Sequence, residues 1–189
     1  AAPITWPADM SHSLRLKPAA TADSFKIAAP APAPKIRIMS LINQTITTER
    51  LVEVNAASGF VEADLRADLL KVAMFDRHYK SGKIAFGLLQ GFGARVGAVG
   101  LTTNLDENTL MIVGADDADM ALCANALIEC GGGIAIAHNG AILEKVDFTI
   151  GGIFSLDPWQ SVGRRLRRIQ DRLREMGSPF GRPIFALNF

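Results

Sequence analysis

Asn139-Gly140 is the feature that most constrains the fold, because of what flanks it. It separates two apolar runs, Gly132 to Ala137 and Ala141 to Phe148. Asn and Gly both tolerate the positive φ that a tight two-residue hairpin turn demands. An apolar run on each side of such a pair predicts two antiparallel strands. A hairpin cannot stand alone in water, so further strands must join it.

Candidates for those strands lie upstream. Lys35 to Ile42 alternates, with Ile36 and Ile38 on one face, and Glu49 to Val54 forms a second run. Ser58-Gly59 reads as a turn. Leu69 to Phe75 is continuously apolar apart from Lys71, as expected of an interior strand. Lys83 to Leu89, Gly97 to Leu101 and Leu110 to Val113 complete the set. Only two segments carry helical periodicity. The first begins at Asp116 or Asp117, presents Met120, Cys123, Ala124, Leu127 and Ile128 on one face, and ends at Gly131-Gly132-Gly133. The second follows Asp157, with Pro158 expected at its first helical position. Val162, Leu166, Ile169, Leu173 and Met176 form its stripe, and Gly177 and Pro179 stop it. About ten strands and two helices predict an α+β fold with mostly antiparallel strands.

Residues 1–34 differ in kind. Ala29-Pro30-Ala31-Pro32-Ala33-Pro34 favours extended backbone. Ser13 to Leu16 and Ser24 to Ile27 alternate and read as short strands inside a connector. The expected organisation is a linker over 1–34 and one domain over 35–189. At 189 residues the chain is long enough to close its own core without disulfides.

Charge and chemistry exclude several function classes. Twenty basic residues stand against 19 acidic ones, which argues against nucleic-acid binding. Arg164, Arg165, Arg167, Arg168, Arg172 and Arg174 form a basic face on the second helix. Asp171 and Glu175 interrupt it at spacings that pair with Arg167, Arg168 or Arg172. His12, His78 and His138 show no metal-ligand spacing. Cys123 and Cys130 are one per two helical turns, too far apart for a bridge, and suit a reducing cytoplasm. No apolar run reaches the roughly 18 residues of a membrane span. Neither a nucleophile elbow nor a phosphate-binding glycine motif is present; the glycines of Gly87 to Gly93 are expected to mark bulges or close backbone approaches. Thr102 to Thr109 is the densest polar stretch between strands. It reads as a solvated hairpin loop, or as a segment presenting Asp106 and Glu107 to a ligand.

An ordered series of motifs resembles the C-terminal domain of bacterial adenine deaminases, members of the amidohydrolase superfamily. They are Leu70 to His78, Gly87 to Gly93, Arg95 to Val99, Ile112 to Met120, Leu127 to Gly133 and Ile150 to Ser155. Leu14-Arg15-Leu16 and Phe25-Lys26-Ile27 are similar to the family's connector out of a catalytic barrel. The resemblance implies a metal-dependent enzyme that hydrolyses adenine to hypoxanthine and ammonia. A metal-activated hydroxide would attack the purine, in a barrel outside this chain. The divalent metal (manganese, iron or zinc) would be held by that barrel and none by this chain. The expected partners are a purine base, the N-terminal barrel domain and further copies in a homo-oligomer, with neither nucleic acid nor membrane.

In the family, a loop reading A-H-D-S-H-N precedes the strand that starts here at Leu110. This chain has Asn104-Leu105-Asp106-Glu107-Asn108-Thr109 instead. Asp106 keeps its place, while Leu105 and Asn108 replace two histidines. That departure bears on substrate and on acid–base groups. The expected active-site loop is therefore Asp106 and Glu107 with Asn104 and Asn108, and Arg77 and His78 are secondary candidates. The alternatives are a non-catalytic interaction or oligomerisation module and a small-molecule sensor.

Overall fold

The computed structural model describes residues 5–11, 14, 19–77, 81–104 and 109–188. A 3₁₀ turn at Ala22–Phe25 leads into β1 (Ile27–Ala28). Next come β2 (Lys35–Leu41), β3 (Thr47–Glu53), β4 (Phe60–Val61), β5 (Leu69–Phe75), β6 (Ile84–Gln90), β7 (Ala98–Leu101) and β8 (Leu110–Gly114). Helix α1 (Asp117–Cys130), β9 (Gly133–His138), β10 (Ala141–Asp147), α2 (Trp159–Glu175) and a single-turn helix, α3 (Pro183–Ala186), complete the order. The fold is α+β, as the sequence predicts.

Eight strands form one sheet in the order β10-β9-β7-β8-β5-β6-β2-β3. Every neighbouring pair is antiparallel except β2 and β6, which run parallel through Met39–Leu89 and Ser40–Gln90. The Asn139-Gly140 hairpin forms, with φ of 54° and 78°, and joins β9 to β10. Small β1 pairs with β4 in a second sheet.

Alternation along β5 sends side chains to both faces. Leu70 and Val72 pack with Ile169 and Leu173 of α2. Ala73 and Phe75 pack with Met120, Cys123, Ala124 and Leu127 of α1. The central strands are thus buried on both sides, which is why β5, β7 and β8 are apolar without interruption. Lys71 is the exception. It is 1% exposed, and its Nζ donates to Asp117 Oδ1 at 2.7 Å and to the Phe25 carbonyl at 3.4 Å.

Several local readings change. Pro158 is the N-cap of α2 rather than its first helical residue, and no side-chain cap bond forms there. Ser24 and Phe25 belong to the 3₁₀ turn, so the expected strand there shrinks to Ile27–Ala28. Of Ser13 to Leu16, only Leu14 is among the described residues, and it is buried. Phe25 is fully buried and meets Phe75 edge to face at 5.8 Å. The stretch expected to be a connector therefore adds side chains to the α1-side core. Asp171 pairs with Arg174, Glu175 with Arg172 and Arg168 with Glu144 on β10, so only the Arg172 pairing is as expected.

Candidate functional site

Register places one set of strand ends together. Phase is fixed by Phe75 opposite Leu110, Leu101 opposite Met111 and Ile134, and Gly133 opposite Asp147. Arg77, Thr102, Asn104 and Thr109 consequently share this end of the sheet with the turn after β10. The candidates Asp106, Glu107, Asn108 and His78 lie outside the described residues, but the residues bracketing them, Arg77, Asn104 and Thr109, are at this end.

Arg77 is buried, and its Nη2 donates to the Gly151 carbonyl at 2.6 Å. Burial lowers its pKa from the ordinary guanidinium value. The guanidinium lies over Gly152: a Cβ at Gly152 would meet Arg77 Nη1 at 2.8 Å, and the backbone there has φ of 75°. Thr102 binds the same turn. Its Oγ1 accepts from the Gly133 N–H at 2.8 Å and donates to the Gly152 carbonyl. Thr109 Oγ1 donates to the Phe75 carbonyl. The Asn104 side chain is buried, and its Oδ1 has no hydrogen-bond partner among the described residues. The stretch read as a solvated loop is thus buried at both of its described ends, because threonine hydroxyls satisfy backbone carbonyls there.

The Gly151-Gly152 turn also receives the start of the chain. Gly151 N–H donates to the Met10 carbonyl at 2.8 Å, Ser11 bridges Ile150, and Trp6 stacks on Phe154. Arg77 thereby links β5 to the turn after β10 and, through it, to residues 6–11. Its bond to Gly151 is to backbone. This arrangement ties the incoming segment to the sheet end through the Gly151-Gly152 turn.

The opposite end of the sheet holds polar residues that the motif reading missed. Asp119, buried in the first turn of α1, accepts from Asn139 N–H at 2.9 Å and Gly140 N–H at 2.8 Å. His138 Nδ1 accepts from Gly97 N–H at 3.1 Å. A cleft of about 470 Å³ opens here beside Leu65, Arg95, Asp116 and His138. The signal that could have found Asp119 is an acidic residue in a helix's first turn on its apolar side. Among the described residues, no three His, Cys, Asp or Glu side chains are grouped so as to hold a metal ion. Again among the described residues, no helix is long and apolar enough to cross a membrane.

The family described as the adenine deaminase C-terminal domain matches residues 44–189. The chain belongs to this family. An adenine deaminase from Clostridium botulinum (strain ATCC 19397 / Type A) is 35% identical over 185 residues, 96% of this chain. One from Moorella thermoacetica is 38% identical over 187 residues, or 97% of this chain. A Brucella melitensis adenine deaminase is 33% identical over 173 residues. This chain covers 31%, 31% and 29% of those proteins respectively, so an adenine deaminase C-terminal domain is less than a third of its relatives' length.

Proposed function

We propose that this domain works as the C-terminal part of a metal-dependent adenine deaminase, a cytoplasmic enzyme that converts adenine and water to hypoxanthine and ammonia. The observation that carries this reading is the match of nearly the whole chain to proteins named adenine deaminase. Residues 1–34 connect it to a catalytic barrel, and 35–189 form the domain proper. The donor sets of the described residues do not fit a divalent ion. The resemblance implies manganese, iron or zinc in the barrel. This chain supplies the loop at Asp106 and Glu107, flanked by Asn104 and Asn108, to the mouth of the barrel. Arg77 holds the neighbouring turn, and His78, next in sequence, is a secondary candidate.

Adenine turnover and metal content test the proposal. The isolated chain is expected to deaminate nothing and to bind no stoichiometric divalent metal, while the intact polypeptide that carries it does both. Turnover by the isolated chain sinks the assignment. Within the intact polypeptide, Asp106→Ala is expected to change kcat or KM; unchanged values remove the loop from the mechanism.

A further inference from the structure

The turn after β10 and the start of α2 carry an uncovered apolar surface. Phe154 is 55% exposed, Leu156 66% and Trp159 79%, and Ile153 is also exposed. Trp6 stacks on Phe154 with ring centroids 6.5 Å apart. A single soluble domain rarely leaves side chains of this size together in water, and aromatic residues are enriched where proteins meet. Beyond Trp159, a shallow groove of about 540 Å³ follows α2 past Gly163, Arg164 and Arg167. Its floor is open at Gly163, where an added Cβ would meet nothing within 4 Å. Arg165 is paired with Asp157 and Arg168 with Glu144, whereas Arg164 and Arg167 stand exposed on the groove wall.

We infer that this surface seats the preceding, larger part of an adenine deaminase polypeptide. An apolar ridge of that part covers Phe154, Leu156 and Trp159, and carboxylates on its rim meet Arg164 and Arg167. Two observations select this occupant. The relatives extend for more than twice the matched length beyond it. In addition, the residues nearest the start of the chain, Trp6 to Ser11, lie on the surface itself. The charge of the groove then requires an acidic rim on the partner. The inference rests on the reading given under Proposed function.

Hydroxyl-radical footprinting of the isolated chain and of the intact polypeptide tests it. Oxidation of Phe154 and Trp159 is expected to fall about tenfold in the intact polypeptide, as for the centre of a buried interface. Leu156→Asp in the intact polypeptide should restore the rate; so should Arg164→Glu combined with Arg167→Glu, more strongly at low salt. These residues are exposed, so the circular dichroism of the isolated variants should match the parent. Equal oxidation in the two forms overturns the inference. Protection that appears in the isolated chain only as its concentration rises also overturns it, by assigning the surface to a second copy. Protection without adenine turnover sinks the deaminase reading alone. Turnover with Trp159 unprotected sinks the docking surface alone.

Discussion

Asp119 does with one carboxylate what a tight turn otherwise leaves to water: it accepts both N–H groups of Asn139-Gly140. Asp119→Ala strands those donors and should cost about 3 kcal/mol, lowering Tm by roughly 6–12 °C for a chain of this size. Gly97 keeps the carboxylate in place by having no side chain, since a Cβ there would meet Asp119 Oδ2 at 1.8 Å. Gly97→Ala should therefore destabilise similarly, and the double variant should lose less than the sum of the two. The thiols give a pH dependence. Burial pushes the Cys123 and Cys130 pKa values up. Above roughly pH 8.5 the unfolded chain releases thiol protons that the folded chain retains. The folded state then binds more protons, so stability falls as pH rises. Thermal unfolding across this range should show a slope that flattens when both cysteines are replaced by alanine. Arg77 shows the limit of reading residues from sequence. Resemblance marks the residue, but its bond to Gly151 joins positions 74 apart that no local pattern connects.

Helix α1 carries its boundary signals in its own sequence. Asp116 accepts from Asp119 N–H at 2.8 Å, and Gly131 closes the helix with φ of 84°. Asp116→Ala should cost about 1 kcal/mol and Gly131→Ala a similar amount, both measurable by urea unfolding. Strands β2, β3 and β5 to β10 were also legible, because alternation and apolar runs report burial directly. Their order was not. Alternation says which face a side chain meets, not which strand lies beside it. The parallel pairing of β2 with β6 left no mark in either strand. Thr102 and Thr109 misled for a related reason: their composition reads as solvent-facing, but each hydroxyl answers a backbone carbonyl that only the assembled sheet brings near.

Across the whole molecule, the boundary between connector and domain is less sharp than composition suggests. Phe25 alternates with Ser24 and Lys26 inside a stretch whose composition reads as a connector, yet it is fully buried against Phe75. Phe25→Ala should cost about 3–5 kcal/mol, as for an interior phenylalanine; a loss near zero, read by thermal unfolding, would show that the stretch is a detachable tether. Lys71 adds a second tie, reaching from β5 to the Phe25 carbonyl and to Asp117. The place of β2 has a consequence for how this unit can be inherited. The family match begins at residue 44, but β2 ends at Leu41 and lies between β6 and β3. A gene fusion joined at residue 44 would transmit β3 without its partner strand β2 and leave β6 as a bare rim, open to strands of other chains. A unit that keeps this sheet whole begins at or before Lys35, ahead of the point where the family model begins and within the stretch that the adenine deaminase relatives also match.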